Sequence, residues 1–412
     1  MTVGNWAGNI RFAASRLHQP SSVDELRRLV AAAPRIKALG TGHSFSRIAD
    51  TAGELVSLAG LPATVEVDQE RGTAKVPAGI RYGELAGQLH QAGYGLPGMA
   101  SLPHISVAGA CATATHGSGN RVGNLATAVS AVELVTADGS LVTLTRDDDR
   151  FAGAVVGLGA LGVVTSLTLD LVPAFEVAQY VYDQLPYETL LEQPDEIFGT
   201  AYSVSVFTSW RHPYADQVWL KHREPWDAPQ RWLGARRADG PRHPIAGMPA
   251  VNCTEQLGVP GPWYARLPHF RLEFTPSNGE ELQSEYLIPR EATAEALTAI
   301  HGIRDRIAPV LQICELRTVA ADDLWLSMSY QRDSTAIHFT WVADPDAVAP
   351  VIAAIEERLA PFDPRPHWGK LFSVPPQVLA QRYPRLPDFA ALVREFDPTG
   401  KFRNDFLDRY LP

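Results

Sequence analysis

Apolar residues recur at two spacings along the first third of the chain, and each spacing predicts one type of element. Leu26 and Val30 lie at helical spacing after Ser21, Ser22 and Asp24. Because serine and aspartate are common N-terminal caps, a helix capped by one of these residues is predicted to begin there. A second helix is predicted over 82–91. Strands rich in β-branched residues and separated by polar turns are predicted at 35–39, 64–67, 73–76, 131–135, 141–144 and 163–172. This part of the chain is therefore predicted to be α+β, with two hairpins.

The pattern changes after Pro173. Residues 174–260 are richer in tryptophan, tyrosine and proline, and we expect them to be less regular. Helical spacing returns at 291–307 and 344–359, and an apolar run predicts a strand at 334–341 between them. This alternation predicts an α/β region with an antiparallel sheet.

Composition narrows the class of protein. The 412 residues are 45% hydrophobic, enough for two or three domains. The net charge of −10, without a concentrated basic face, argues against nucleic-acid binding. No stretch approaches the roughly 20 apolar residues of a membrane span, and the N-terminus does not resemble a secretory signal. Three widely spaced cysteines without a CxxC pair predict neither a disulfide framework nor a metal site, so a reduced, cytoplasmic setting is expected.

Gly157–Gly162 matches the GxGxxG pattern of dinucleotide-binding folds. In those folds the glycines open a helix whose N-terminus holds the pyrophosphate. Here they precede 163–169, whose β-branched residues favour a strand. We therefore predict that this is not a nicotinamide-binding Rossmann unit. The glycines are expected to allow close backbone approach, either to packed chain or to part of a cofactor.

Two segments carry candidate binding chemistry. In Gly40–Ser44, glycines permit a positive φ, so that successive N–H groups can converge on a phosphate beside the sterically open His43. The alternative is a surface turn with an incidental histidine. Ser101–Gly119 is dominated by small and hydroxylated residues, which allow a backbone to lie flat against a large ligand. The alternative there is a glycine- and alanine-rich loop or a tightly packed helix.

Together these two segments resemble the vanillyl-alcohol-oxidase type of FAD-binding domain. Three later motifs, Glu315–Arg317, His367–Lys370 and Phe396–Asn404, resemble its sugar-oxidising branch, the alditol oxidases and aldonolactone oxidases. Asn5–Asn9 and Gln283–Tyr286 are more similar to the alditol oxidases. The two branches share the Glu-x-Arg and His-Trp-Gly-Lys motifs, so these motifs do not separate them. The resemblance covers nearly the whole chain.

The resemblance implies a two-domain α+β fold of the vanillyl-alcohol-oxidase (PCMH) type. It implies an FAD-binding domain at 1–173, an α/β substrate-binding cap at 174–370, and a C-terminal segment at 371–412 that completes the FAD region. FAD would be attached covalently through His43. The residues implied to contact the cofactor are Gly40, Thr41, Gly42, His43, Ser44, Ser101, Ser106, Gly109, Thr113, Thr115, His116, Gly117, Gly119, Gly162, Val163 and Asn404.

Glu315 and Arg317 are two positions apart on a predicted strand, so their side chains share a face. An anonymous pair of this kind is ordinarily a solvated ion pair. The resemblance instead places both residues in the substrate pocket opposite Lys370, as catalytic residues. The implied substrate-binding residues are Ser101, Gln283, Glu315, Arg317, Thr340 and Lys370.

The implied reaction is oxidation of the terminal C1 hydroxyl of a polyol such as xylitol or sorbitol. Flavin N5 would accept the hydride, and O2 would reoxidise the flavin and give H2O2. Lys370, with its pKa lowered by Arg317, is expected to receive the hydroxyl proton. The alternatives are oxidation of a sugar 1,4-lactone of the L-gulono or D-arabinono type, and a flavin-free binding protein on the same fold. We expect a monomer whose partners are only the polyol and O2.

Overall fold

The computed structural model describes residues 3–274 and 280–411. Its N-terminal part contains a three-stranded parallel sheet, a five-stranded antiparallel sheet and a two-stranded pair. The strands of the first, in the order β1-β3-β2, are β1 (Arg16–His18), β2 (Ile36–Ala38) and β3 (Glu54–Val56). The strands of the second, in the order β4-β5-β9-β7-β8, are β4 (Glu66–Asp68), β5 (Thr73–Pro77), β7 (Val129–Val135), β8 (Leu141–Thr145) and β9 (Val163–Asp170). The pair is β6 (Tyr94–Gly95) with β10 (Val172–Pro173).

The helices of this part follow the sequence pattern. They are α1 (Val23–Ala32), α2 (Tyr82–Gln91), α3 (Val107–Ala112) and α4 (Phe151–Ala154). The predicted serine or aspartate cap of α1 is Ser22, whose side chain accepts a hydrogen bond from the Glu25 amide. The predicted hairpins are confirmed as β4–β5 and β7–β8. The strand predicted after the GxGxxG glycines is also confirmed, because β9 begins at Val163.

A further sheet, of ten strands, occupies the middle of the chain. Its main path, β14-β15-β11-β13-β12-β18-β19-β17-β20, is antiparallel, and β16 pairs with β11. The strands are β11 (Glu176–Pro186), β12 (Ser203–Thr208), β13 (Tyr214–His222), β14 (Arg231–Trp232), β15 (Ala235–Arg237), β16 (Gly261–Pro262), β17 (Leu282–Pro289), β18 (Leu311–Val319), β19 (Ser334–Trp341) and β20 (Arg365–Pro366). The sheet confirms the predicted antiparallel region.

The expectation that residues 174–260 would be less regular holds for 223–260, whose strands are only the short β14 and β15, and is wrong for 174–222. This segment holds β11, of 11 residues, and β13, of 9 residues. Every residue of the neighbouring β12 is buried, and β11 and β13 each contain a run of buried residues. A strand that is covered on both faces loses the apolar–polar alternation by which strands are recognised in a sequence.

Helices pack on one face of the large sheet. They are α5 (Tyr187–Glu192), α6 (Pro194–Gly199), α7 (Thr293–His301), α8 (Arg304–Ile307) and α9 (Pro345–Leu359). The helix predicted over 291–307 is divided at Gly302, whereas α9 begins as predicted, with Asp344 as its cap. Leu297 and Ile355 share one apolar cluster with Leu316 and Ile337 of the sheet.

Because successive side chains of a strand point to opposite faces, the polar residues between these apolar ones point away from the helices.

The C-terminal segment returns to the N-terminal part. Its helices are α10 (Pro376–Arg382), α11 (Leu386–Phe396) and α12 (Asp405–Tyr410). Leu379, Phe389 and Leu407 belong to the same apolar cluster as Val76 and Leu85. Within the described residues, no helix is long and apolar enough to cross a membrane.

Candidate active site

A long cavity separates the N-terminal part from the open face of the large sheet. One side is built from residues of three segments, 37–49, 100–116 and 154–167, which include loops, α3 and the start of β9. The other side is built from strands β17, β18 and β19 together with 367–370. The cavity therefore joins segments that are far apart in the chain.

The first loop follows β2 and turns at Gly42, whose φ of 72° is readily adopted only by glycine. His43 stacks on Trp6 with the ring centroids 5.2 Å apart and the planes at 17°. Its Nδ1 lies 3.0 Å from the Thr41 hydroxyl. Burial lowers the pKa of His43 to about 4, so the imidazole is neutral at pH 7.

The second loop region packs closely against the first. A side chain at Gly40 would collide with the Ser106 hydroxyl, and a Cβ at Gly109 would lie 2.8 Å from the same oxygen. The Thr113 hydroxyl donates to the Gly109 carbonyl at 3.2 Å. The two segments thus bring small residues, with their backbone and hydroxyl groups, to the cavity.

Most of the predicted cofactor residues line this cavity. These are Gly40, Thr41, Gly42, His43, Ser44, Ser101, Ser106, Gly109, Thr113, Thr115, His116 and Gly162. Of the described residues predicted for this role, four are not part of the lining, namely Gly117, Gly119, Val163 and Asn404.

These four have structural contacts instead. Gly117 packs on the Met99 carbonyl, and the Gly119 amide donates to the Thr318 carbonyl at 2.9 Å. Val163 lies in the apolar cluster under α1. Asn404 caps α12 and donates to backbone carbonyls that include those of Ile48 and Asp50. Asn404 was predicted to contact the cofactor. It instead holds the start of α12 against the backbone of 48–50, outside the cavity lining.

The cavity has the chemistry that FAD requires. Gly40 and Gly109 provide a cradle that a Cβ would fill, with backbone and hydroxyl donors suited to phosphate oxygens. Apolar residues suited to flat rings line its neighbouring part, namely Val132, Leu134, Ala154, Val155, Leu158, Leu161, Val164 and Leu167. The residues present therefore fit a long molecule with a charged middle and aromatic ends.

A charged network lies where the cavity meets the large sheet. Glu285 is fully buried and accepts from Arg317 Nη2 at 2.5 Å and from Lys370 Nζ at 2.6 Å. His116 Nε2 lies 3.3 Å from the same carboxylate. Burial alone would raise the pKa of Glu285, but the charges of Lys370 and Arg317 outweigh it and hold the pKa well below the usual value.

Glu315 forms the second half of this network. Its Oε1 lies 2.7 Å from His269 Nε2 and 3.6 Å from Arg317 Nε. Burial opposes ionisation of Glu315, but Arg317 and His269 hold its pKa well below the usual value. Arg317 is thus placed between two carboxylates, and its Nη1 also donates to the Ser101 hydroxyl at 3.3 Å.

Strand register explains why these groups meet. His338 on β19 pairs with Glu285 on β17 and with Glu315 on β18, so the three residues form one row across the sheet. Thr340 and Gln283 form the next row on the same face. All five residues line the cavity.

Three of the residues found here were not predicted from the sequence to have a role in the site. Glu285 stands in the motif 283–286, where its position two residues after Gln283 was the available signal. His269 and His338 carried no signal, since neither lies in a recognised motif. His338 is buried, and neither ring nitrogen has a hydrogen-bond partner within the part of the chain that the structure describes.

The predicted cause of the Lys370 pKa shift also changes. Burial is the main reason why its pKa is lowered, whereas Arg317 contributes less and Glu285 acts in the opposite direction. The relative size of these effects on the pKa cannot be read from the sequence, because it depends on the enclosure of Lys370 between the sheet and the loops.

Comparison with known proteins agrees with this geometry. Residues 14–145 match the family described as FAD binding domain, and residues 277–410 match the family D-arabinono-1,4-lactone oxidase. An alditol oxidase of Streptomyces sp. is 55% identical over 408 residues, which cover 98% of each chain. The chain belongs to the alditol oxidase family.

A more distant relative and a solved structure are also similar to this chain. An L-gulono-1,4-lactone dehydrogenase of Mycobacterium tuberculosis is 33% identical and matches 99% of this chain and 98% of its own length. The solved structure of a solvent-stable cholesterol oxidase has a TM-score of 0.82 and 15% identity, and the match covers 100% of this chain and 97% of that chain. This structural likeness confirms the two-part α+β fold. This member of the alditol oxidase family is thus an FAD-dependent oxidoreductase that acts on CH–OH groups.

Proposed function

We propose that this enzyme oxidises the terminal C1 hydroxyl of a polyol, such as xylitol or sorbitol, to the aldose. The alcohol carbon loses a hydride, the hydroxyl loses a proton, and O2 takes up two electrons and two protons to form H2O2. The network of Glu285, Glu315, Arg317 and Lys370 is the observation that carries the proposal. The 55% identity to an alditol oxidase supports the polyol as the substrate.

A polyol carries many hydroxyl groups and no charge, so it must be recognised by several hydrogen bonds. The cavity supplies both kinds of partner, with acceptors on Glu315 and donors on Arg317. Ser101, Gln283 and Thr340 add neutral groups that donate and accept. Two carboxylates and two cations offset one another, which suits a neutral ligand.

We assign the proton transfer to Lys370. In the resting site Lys370 is the ammonium that pairs with Glu285. Burial lowers its pKa, so it loses a proton more readily to form the neutral amine that can accept the hydroxyl proton. Glu285 accepts a hydrogen bond from Nζ and so fixes the amine in place. Arg317 remains a cation, because Glu315 and Glu285 raise its pKa against the effect of burial, and its charge stabilises negative charge on the substrate oxygen. FAD, when bound, supplies the two-electron acceptor for the hydride.

We also propose that His43 carries the FAD covalently. A bond from an imidazole nitrogen to a carbon requires a lone pair, and burial keeps this imidazole neutral. The stacking on Trp6 and the contact with Thr41 fix the orientation of the ring. Precipitation in acid tests this proposal: yellow colour should stay with the wild-type protein and be released from His43→Ala.

Peroxide release by the purified protein tests the reaction itself. Xylitol and sorbitol should give clear turnover, with L-gulono-1,4-lactone and D-arabinono-1,4-lactone as comparison substrates. Turnover of the lactones alone would replace the proposed function by lactone oxidation, which the match of 277–410 to a lactone oxidase family favours. Reduction of the flavin by xylitol without peroxide would indicate a dehydrogenase.

The same proposal assigns a binding role to each part of the chain. Residues 1–173 would bind FAD, 174–370 would bind substrate, and 371–412 would complete the FAD region. The shared apolar cluster of the C-terminal helices and the N-terminal part supports this division. We propose a monomer in a cytoplasmic setting, with which the three free and buried cysteines agree.

A further inference from the structure

Lys221 on β13 is a buried amine near the active site that the mechanism above does not use, and burial lowers its pKa to about 7. Its side chain is 1% exposed. Its Nζ contacts three acceptors, which are the Leu267 carbonyl, the Pro268 carbonyl at 3.4 Å and His269 Nδ1 at 3.0 Å. Among the described residues, Lys221 forms no ion pair with a carboxylate. An ammonium has three hydrogens, so these contacts satisfy it.

The contacts with Glu315 and Lys221 together set the tautomer of His269. The ionised Glu315 can only accept, so the proton of the neutral imidazole lies on Nε2. Nδ1 therefore accepts from Lys221 Nζ, whose ammonium form can only donate. Nε2 faces Glu315 Oε1 at 2.7 Å, and the Ser205 hydroxyl lies 3.3 Å away. The imidazole therefore donates to the carboxylate.

The ring of His269 is also held by its neighbours. Its centroid lies 5.1 Å from that of Trp219 and 5.5 Å from that of Phe207, both in edge-on geometry. Burial and then the charge of Lys221 lower the pKa of His269 to about 4, although Glu315 opposes this shift. The imidazole is therefore neutral over the working range of the enzyme.

We infer that Lys221 is a positioning residue that acts through His269 to hold the Glu315 carboxylate toward the substrate. The inference rests on the proposed function, in which Glu315 accepts a hydrogen bond from the polyol. Glu315 lines the cavity, whereas Lys221 does not. Lys221 therefore affects the substrate only indirectly, through His269 and Glu315. The charged groups that face His269 are Lys221 on β13 and Glu315 and Arg317 on β18, while Cys253 faces Lys221.

Loss of Lys221 would release this constraint. His269 could then carry its proton on Nδ1, which would turn the Nε2 lone pair toward the Glu315 carboxylate and repel it. It could also become doubly protonated more easily, because the like charge of Lys221 would be gone. Both changes alter the carboxylate that binds substrate without altering the proton acceptor Lys370.

A double-mutant cycle tests this inference in the flavin-loaded enzyme. Lys221→Met should lower kcat/KM for xylitol about tenfold or more, chiefly through KM. His269→Gln keeps an amide donor toward Glu315 and has no tautomers. In the His269→Gln background, Lys221→Met should therefore have little further effect on kcat/KM. Equal effects of Lys221→Met in both backgrounds would overturn the inference. Flavin absorbance and thermal unfolding confirm that each variant is folded.

A second measurement does not depend on turnover or on the stability of the Lys221 variant. In holoenzyme with 15N-labelled histidines, the resonances of His269, assigned through His269→Gln, should show a protonated Nε2 and an unprotonated Nδ1. A protonated Nδ1 in the wild type would overturn the inference. Xylitol turnover measured on the same preparation separates the two proposals, because its absence contradicts the proposed function and leaves the tautomer result decisive.

Discussion

At the scale of single residues, the site depends on charges that are buried only because they are paired. Glu285 has no exposed surface, and each of its carboxylate oxygens accepts from a cation. Removing one member of a buried ion pair costs more than the pair contributes, since the remaining charge keeps its desolvation penalty. The same pairing that stabilises the fold holds Lys370 and Arg317 at the substrate.

Substitution of Glu285 should reveal this dependence. Glu285→Gln leaves Arg317 and Lys370 without their shared anion, and we expect it to lower the free energy of unfolding by about 3–5 kcal/mol. Chemical denaturation monitored by circular dichroism measures the change. The matched control is Glu295→Gln on the exposed side of α7, for which a change within about 0.5 kcal/mol is expected. Similar values for the two variants would show that Glu285 is not stabilised by its pairs.

Substitution of Lys370 should separate chemistry from cofactor binding. Lys370→Met removes the proton acceptor and should lower kcat about 10²–10⁴-fold, while the protein remains yellow. Anaerobic flavin reduction in a stopped-flow instrument measures the step directly. Lys75→Met, which removes a partly exposed lysine from the five-stranded sheet, is the control. A near-normal reduction rate in Lys370→Met would assign the proton transfer to another group.

At the scale of elements, the turn at 397–402, between α11 and α12, forms hydrogen bonds with the C-terminal end of α1. The Lys401 side chain donates to the carbonyls of Val30, Ala31 and Ala137. The first two belong to the last turn of α1, whose carbonyls have no partners within the helix, and α1 has no basic residue of its own there. Asp397 shapes the turn by accepting from the amides of Lys401 and Phe402, both at 2.7 Å.

This contact predicts a stability effect far from the active site. Lys401→Met should lower the free energy of unfolding by roughly 1–3 kcal/mol, because two buried carbonyls and one partly buried carbonyl lose their donor. Lys75→Met serves again as the control, since a surface ion pair contributes only about 0–1 kcal/mol. Thermal unfolding of the holoenzyme measures both. An unchanged melting temperature for Lys401→Met would mean that water or another donor replaces the lysine.

At the scale of the whole molecule, the ionised network links the stability of the protein to pH. Glu285 and Glu315 have pKa values well below normal in the folded protein, whereas both return to about 4.3 on unfolding. The unfolded chain therefore binds more protons in acid. Their stabilising contribution is fully present above pH 4.3 and is lost as the pH falls through the folded values.

The free energy of unfolding should therefore fall more steeply with decreasing pH in the wild type than in variants that lack Glu285 or Glu315. Denaturation between pH 6 and pH 3 should show a loss of stability with falling pH, and the loss should be smaller in Glu315→Gln and Glu285→Gln, which lack one of these titrating groups. Other carboxylates contribute equally to all three proteins, so the difference isolates the network. Parallel curves for the three proteins would contradict the assignment.

Local interactions allowed much of the fold to be predicted from the sequence. Side chains within a few residues of each other determine the capped start of α1, the bounds of α2 and the bounds of β19. The strand after Gly162 was predictable because β-branched residues disfavour the helix that a Rossmann unit needs. The shared face of Glu315 and Arg317 follows from the two-residue period of a strand.

Tertiary structure alone decided which of these residues meet. Glu285 and His338 are 53 positions apart in the printed numbering, and only the pairing of β17 with β19 makes them neighbours. The regularity of β11 and β13 was hidden because partners bury much of both strands. The sequence by itself determined the strands whose pattern is local, such as β9 and β19, and which residue types are available, since these depend on local sterics. The pairing of distant strands determined where the charges lie, because burial and contact arise only after the chain has folded.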